Sequence, residues 1–364
     1  METLEMIDKL KQNYSGKRVF LTGHTGFKGS WMLAVLKDLG AEVKGYALDP
    51  EGKPDLYTLL SGDKICNSVI ADIRNKDKLV KELHTFQPDF VFHLAAQSLV
   101  RVSYDKPIET FETNVLGTTY VLEAVRHLER QCSVVIVTTD KVYENRETWD
   151  AYKEDDPLGG FDPYSSSKAA AEIVTASYRK SFFMPDRFSY HRTSVASARA
   201  GNVIGGGDWA KDRIVPDLVR ALSKDEVLTV RNPESVRPWQ HVLEPVCGYL
   251  LLGAKMQEEP EKFATAYNFG PMEADNLKVR ELVEKSLQIW GSGSYKELPD
   301  IQAPHEAGLL RLDINKAMKE LGWKPKWNSE KALKMTLDWY KDYKADAIGI
   351  TDRQINEYLK ETKI

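Results

Sequence analysis

The stretch "VFLTGHTGFKGSWML", Val19 to Leu33, sets glycines at 23, 26 and 29 directly after an apolar run and at the start of a helical pattern. Glycine inside a regular element costs roughly 0.5–1 kcal/mol relative to alanine. One glycine can simply end a strand; three in seven residues need a stronger cause. Bringing a pyrophosphate against bare backbone N–H groups at a helix N-terminus is such a cause. The spacing is G-x-x-G-x-x-G, not the commoner G-x-G-x-x-G. The stretch therefore predicts a strand, a tight turn and a helix that together hold a dinucleotide.

Outward from this turn, short apolar strands alternate with helical patterns. "KRVFLTG", "AEVKGYAL", "SVIADI", "DFVFHLAA", "SVVIVTT" and "SVASARA" read as six strands. Between them lie helical patterns at Gly29–Leu39, "NKDKLVKELHTFQ", "PIETFETNVLGTTYVLEAVRHL" and "SSKAAAEIVTASYRKSF". This βαβ rhythm predicts an α/β protein, a Rossmann-like doubly wound parallel sheet with ligands at the carboxyl ends of its strands. After Ala200 the rhythm breaks into Gly-rich and Pro/Arg/Trp-rich segments. Residues 1–199 are assigned to the dinucleotide-binding domain, with a return segment at 237–255 in "HVLEPVCGYLLLGAKM". Residues 200–236 and 256–364 are assigned to a smaller, C-terminal substrate-binding lobe.

Bulk properties narrow the classes. The 364 residues are 42% hydrophobic and 29% charged, with a formal net charge of −4. No basic face for nucleic acid is indicated. "METLEMIDKLKQNY" lacks the apolar core of a signal peptide, and no run is long enough to span a bilayer. Cys66, Cys132 and Cys247 are isolated, so neither disulfides nor a metal site is expected. The expectation is a soluble, reduced, cytoplasmic protein without nucleic-acid or membrane partners.

Two further constellations carry chemistry. In "FDPYSSSKAAAE", Tyr164 and Lys168 lie four apart at a helix start and share one face. A tyrosine is a poor base near its ordinary pKa of about 10, and a neighbouring ammonium lowers that value. Such a pair can take a proton from a sugar or alcohol hydroxyl while hydride leaves the same carbon for a nicotinamide. In "VTTDKVYEN", Thr139, Asp140 and Lys141 follow the fifth strand and should face the ligand. Alcohol oxidation needs only the hydroxyl; the Asp–Lys pair supplies an acid and a base for a second proton transfer. The bland alternatives are an exposed Tyr with a solvated Lys, and a salt bridge capping the strand.

The motifs "TGHTGFKGSW", "HLAAQSLVR", "TTDKVYEN", "YSSSK" and "ARAGNVIGGGDWAKDR" resemble extended short-chain dehydrogenases/reductases acting on nucleotide sugars. "RNPESVRPWQHVLEP" and "PHEAGLLRLDINKAMKELGWKP" resemble, more narrowly, the CDP-D-glucose 4,6-dehydratases among them. The resemblance runs from about Gly16 to about Trp327. It implies NAD as cofactor, CDP-D-glucose as substrate, a homodimer paired through the helices around Glu112–His127 and Ser167–Phe182, and deoxysugar supply for cell-surface polysaccharide. It implies that Tyr164 deprotonates the C4 hydroxyl as hydride passes to NAD, with Lys168 holding the nicotinamide ribose and Thr139 bonding the C4 oxygen. Water is then lost across C5 and C6, and hydride returns to C6. Asp140 is the natural acid. Lys141 stands where many related dehydratases carry Glu and is the candidate base, which requires a neutral lysine buried in the closed cleft beside a protonated Asp140.

The cofactor set implied is Gly23, His24, Thr25, Gly26, Phe27, Lys28, Gly29, Asp72, Ile73, Ala95, Ala96 and Gln97, with Tyr164 and Lys168. The acidic residue expected after the second strand falls near Ala47, and Asp49 lies two residues late. Charge at His24 and Lys28 is compatible with a 2′-phosphate, so NAD selectivity and tight retention are both weakened. Asp72 has a helix cap as its alternative role. The substrate set is Ser98, Arg101, Asn202, Arg231, Arg237 and His305, with Arg237 preferred over Arg231 for the diphosphate. His241 and His93 read as structural, and Trp209 and Trp239 either border the base or pack the core. The competing readings are an NAD(P)-dependent nucleotide-sugar epimerase or reductase, and a non-catalytic dinucleotide sensor.

Overall fold

The computed structural model describes residues 6–50, 52–298 and 309–361. Among them, seven strands form one parallel sheet: β1 (Arg18–Thr22), β2 (Glu42–Ala47), β3 (Asn67–Ile70), β4 (Phe90–His93), β5 (Cys132–Val137), β6 (Thr193–Ala200) and β7 (Ala266–Phe269). Their spatial order is β7-β6-β5-β4-β1-β2-β3, with the reversal between β1 and β4, where a doubly wound sheet opens its ligand crevice.

Both faces are covered, so the central strands β1, β4 and β5 are mostly apolar instead of alternating with polar residues. Val19, Leu21, Phe90, Phe92, Val135 and Ala198 face one core. Their neighbours Phe20, Val91, Val134, Ile136 and Val195 face the other. The period-2 alternation of a strand divides each segment between two layers of helices.

The helices that position the cleft are α1 (Phe27–Asp38), α2 (Lys76–Phe86), α3 (Gly117–Val125), α4 (Pro163–Ser181) and α5 (Leu243–Glu258). α3 continues a helical run from Pro107 through a π-helical stretch at Glu112–Leu116. α4 begins with Asp162 accepting from the Ser165 N–H at 2.9 Å and with Pro163 in its first turn. Both features favour initiation at that point. The six strands and four helices read from the sequence are present to within a few residues.

The seventh strand was not anticipated. Ala266–Phe269 pairs in parallel with Ser197–Ala200 of β6, although the sequence division set residues 256–364 with the smaller lobe. Four fully buried residues carry neither a period-2 nor a helical signature, so only their pairing identifies them. Beyond the sheet, the described residues form three two-stranded pieces: Val203–Ile204 with Gln240–His241, Val236–Arg237 with Leu277–Lys278, and Leu228–Val230 with Tyr295–Glu297. We retain the two-part division as a proposal, with β7 moved to the larger part.

Candidate active site

A cleft of about 1510 Å³ runs from the glycine turn to Arg231 and Trp239. At one end, Gly23 has φ +75°, and a Cβ there would lie 2.8 Å from the Ala95 nitrogen. Gly29 is tighter, since its Cβ would meet the Gly23 carbonyl oxygen at 2.0 Å. Gly26 caps α1 with no side-chain hydrogen bond to the first turn. The free N–H groups of that turn suit an anion, and a turn without side chains lets one approach. Thr25, Phe27, Lys28, Ile73, Ala95, Ala96 and Gln97 line the same end. These residues fit a dinucleotide.

His24 does not join them. Its ring is fully buried over Gly45, where a Cβ would sit 2.4 Å from it, and Nε2 lies 2.7 Å from Ser68 Oγ. Burial pushes its pKa down to about 4, so it brings no positive charge to the cofactor. This corrects the expectation from sequence: alternate residues of a turn point oppositely, and the missing Gly45 side chain opens room on the inner side. Lys28 does face the cleft. Loss of water, then the charges of Arg213 and Lys168, push its ammonium down to about 7.

Asp72 lines the cleft and binds Arg74 through both oxygens, at 3.1 and 2.6 Å. Those hydrogen bonds hold its carboxyl below the usual range. It is not the cap of α2; Asn75 is, accepting from the Lys78 N–H at 3.1 Å. Gln97 is fixed by buried Asn114, which takes the Gln97 N–H at 2.9 Å and donates to Ser167 Oγ at 2.8 Å.

At the centre, Tyr164 and Lys168 of α4 meet the residues that follow β5. Thr139 Oγ1 donates to Asp140 Oδ1 at 2.9 Å, and Lys141 Nζ donates to the same oxygen at 3.2 Å and to Asn202 Oδ1 at 3.3 Å. Asp140 is buried; Lys141 is not, with a quarter of its side chain (26%) exposed. Lys141, expected to be buried once the cleft closes, is half-buried here and pairs with Asp140. Lys168 donates to the Val137 carbonyl at 3.0 Å, and burial lowers its pKa to about 8.

Burial raises Tyr164 to about 12, against the lowering expected from Lys168. Thr139 and Arg213 oppose the rise, while Asp140 adds to it. Sequence spacing placed the lysine correctly but could not weigh desolvation against charge. Arg213 was missed altogether: it is held by Asp208 at 2.8 Å and reaches Ser98 Oγ at 3.3 Å. Glu172, a further turn beyond Lys168, was also missed, although Y-x-x-x-K-x-x-x-E puts all three on one face.

On the far wall, Arg231 pairs with Asp212 at 2.8 Å, and Arg101 lies 3.9 Å from the same carboxylate. Ser98, Asn202 and Arg237 also line the cleft, as do Trp209 and Trp239. Trp209 packs edge-on against Tyr340 and Tyr343. His305 lies outside the described residues. His93 is satisfied between Thr22 and Thr118 hydroxyls at 2.8 and 3.1 Å. His241 is wedged between Trp31 and Trp327. Among the described residues, no group of three or more His, Cys, Asp or Glu could hold a metal ion, and no helix is long and apolar enough to cross a membrane.

Residues 20–336 match the family described as GDP-mannose 4,6 dehydratase. The chain is 45% identical over 359 residues to a CDP-glucose 4,6-dehydratase of Salmonella typhimurium, covering 98% of this chain and 99% of that one. Its structure is similar to DesIV, a dTDP-glucose 4,6-dehydratase of Streptomyces venezuelae with NAD and TYD bound, at TM-score 0.75 and 25% identity, over 89% and 97% of the two chains. A Thermus thermophilus UDP-glucose 4-epimerase in complex with NAD matches at TM-score 0.75 and 25% identity, over 89% and 99%.

Proposed function

The chain belongs to the GDP-mannose 4,6 dehydratase family, and from that membership we propose that it converts CDP-D-glucose to CDP-4-keto-6-deoxy-D-glucose with loss of water. The observation that carries this reading is that Tyr164, Lys168, Thr139 and Lys141 line one cleft, while Asp140, expected to face the ligand, is buried behind that wall and bonded to Lys141. The Tyr–Lys pair serves any alcohol oxidation; the Asp–Lys pair is needed only if a proton is also moved at a neighbouring carbon.

NAD is the cofactor, and when bound it accepts hydride from C4 and returns it to C6. Gly23, Thr25, Gly26, Phe27, Lys28 and Gly29 would hold its pyrophosphate, Asp72 and Ile73 would flank the adenine, and Ala95, Ala96 and Gln97 would line the pyrophosphate and ribose side. Tyr164 takes the proton of the C4 hydroxyl, Thr139 hydrogen-bonds that oxygen, and Lys168 binds the nicotinamide ribose. The C4 carbonyl then acidifies the C5 hydrogen. Lys141 removes it while Asp140 protonates the departing C6 hydroxyl.

The 3.2 Å contact between Lys141 and Asp140 supports this pairing of base and acid. One proton passing from Lys141 to Asp140 yields both the neutral amine and the neutral acid that elimination requires. Closing the cleft on substrate favours that transfer, because desolvation penalises both charges. Arg237, with Arg101, Arg231, Asn202 and Ser98, receives the diphosphate.

Cytoplasmic placement and a homodimer belong to the same proposal. Ile108, Phe111, Leu116, Ile173 and Phe182 are exposed on the two helical runs that would pair, which supports the dimer.

Incubation with NAD and CDP-, UDP-, dTDP- or GDP-hexose, with products read by NMR at C4, C5 and C6, tests the reading. A 4-keto-6-deoxy sugar from CDP-glucose alone is expected. An epimer or a reduced sugar would instead favour the epimerase or reductase alternative. Lys141→Met should still oxidise C4 yet fail to eliminate; wild-type elimination would place the base elsewhere.

A further inference from the structure

Tyr164, Lys168 and Glu172 follow one another at i, i+4 and i+8 on one face of α4. The first two are accounted for by oxidation at C4. Glu172 is a carboxylate with 2% exposure, beneath the site and out of reach of the cleft. One oxygen accepts from Thr138 Oγ1 at 2.6 Å. The other accepts from Ser197 Oγ at 2.7 Å and from Arg199 Nη2 at 3.0 Å, both on β6. Burial alone would push this carboxyl up; Arg199 and the hydroxyl donors outweigh it and hold it down.

Arg199 leads to a second contact with the same segment. Its Nη1 donates to the Tyr143 hydroxyl at 2.8 Å, and its guanidinium lies over the Tyr143 ring, 5.1 Å from the centroid. Tyr143 in turn donates to Asn268 Oδ1 on β7 at 2.7 Å. Thr138 and Tyr143 immediately bracket Thr139–Val142, the short turn that carries Asp140 and Lys141. A single buried ion pair therefore grips both ends of that turn, and its carboxylate rides on the helix that carries Tyr164 and Lys168.

We propose that the Glu172–Arg199 pair is the positioning element that sets the elimination pair, Asp140 and Lys141, against the redox pair, Tyr164 and Lys168. The inference rests on the dehydratase reading above. It assigns neither residue to the chemistry itself.

A buried ion pair is poor evidence of stabilisation, since well-packed apolar residues of similar volume often do as well or better. What sets this one apart is its choice of partners, the two ends of one functional turn. Elimination requires Lys141 at C5 and Asp140 at the C6 hydroxyl without moving C4 from Tyr164, on a separate element. A misplacement of about 1 Å costs on the order of 100-fold in such a geometry. Backbone bonds tie the turn to its neighbours, from the Thr138 N–H to the Ala198 carbonyl and from the Gly159 N–H to the Val142 carbonyl, each at 2.9 Å; the Glu172–Arg199 pair ties it in addition to α4. Glu172 also lies close enough to Lys168 to oppose the loss of its charge on burial.

Thr138→Val and Tyr143→Phe each remove one grip and leave the ion pair standing. In quenched single turnovers read by mass spectrometry, each should raise the ratio of CDP-4-keto-glucose to CDP-4-keto-6-deoxy-glucose about ten-fold, with KM for CDP-glucose changed by less than about two-fold. Amide hydrogen exchange over residues 138–143 should quicken in the same variants without substrate. Glu172→Gln loosens both ends and should exceed either; if it does not fold, the two hydroxyl variants decide. Wild-type ratios and wild-type exchange, even with a lowered Tm, would make the pair a stabiliser only and overturn the proposal. If wild-type protein forms no 4-keto-6-deoxy sugar, the dehydratase reading fails separately, and the exchange result still reports on the grip.

Discussion

The wall of the cleft that carries Tyr164 and Lys168 is a capped helix of 19 residues laid against a seven-stranded sheet. Across the cleft, Arg237 sits on a strand of two residues, and Arg231 directly follows one of three. Asp140, Tyr164 and Lys168 are buried, whereas the side chains of Arg231, Arg101 and Asp212 are 31%, 30% and 46% exposed. Groups that move protons must hold their geometry to a fraction of an ångström, and a buried, doubly supported wall provides it. The groups proposed to receive a flexible diphosphate work through longer-range charge and tolerate a wall built from short, separate pieces.

The largest effect is expected at Tyr164. Tyr164→Phe should lower kcat about 1,000-fold with the circular dichroism unchanged, because proton transfer by a placed side chain is worth roughly 100- to 10,000-fold. An activity loss under ten-fold would remove the phenol from the reaction and, with it, the contrast between the walls.

Lys28 tests the boundary between the two regimes, since it borders the cleft on the rigid side yet acts by charge. Its pKa of about 7 means that it is an ammonium below that pH and increasingly neutral above it. An anionic pyrophosphate favours the ammonium and raises its pKa on binding. NAD affinity should therefore be greatest below about pH 7 and weaken about ten-fold by about pH 9, by linkage. Calorimetry on Lys28→Met should show a flatter profile; an unchanged slope would assign the dependence to another group.

The smallest effects are expected on the adaptable wall. Arg237→Met should raise KM for CDP-glucose about ten-fold, and Arg231→Met only about two-fold, because Arg231 already shares its charge with Asp212. Equal losses of 100-fold would show this wall to be as exacting as the other and would sharpen the picture toward two rigid faces.

The parts legible in sequence are those written by neighbours along the chain. The glycine turn, the β1–α1 unit and the Tyr164/Lys168 pair each depend on residues within about one or two helical turns, where local geometry leaves little choice. His24 was misread because its direction depends on Gly45, which lacks the side chain that would exclude the ring. The Tyr164 pKa lies above its ordinary value because burial, a property of the whole fold, is the largest influence on it. Arg213 was missed because nothing in "KDRIVP" says that it reaches Ser98 across the cleft.

By itself, the sequence determined the doubly wound sheet and the turn at Gly23–Gly29, because strand and helix periods and glycine placement act over short separations. Only the tertiary structure decided that Ala266–Phe269 closes the sheet, that Lys141 begins paired with Asp140, and that Glu172 and Arg199 hold both ends of the turn between Thr138 and Tyr143. Those facts arise from contacts between segments tens of residues apart, where desolvation and packing, not spacing along the chain, choose the partner.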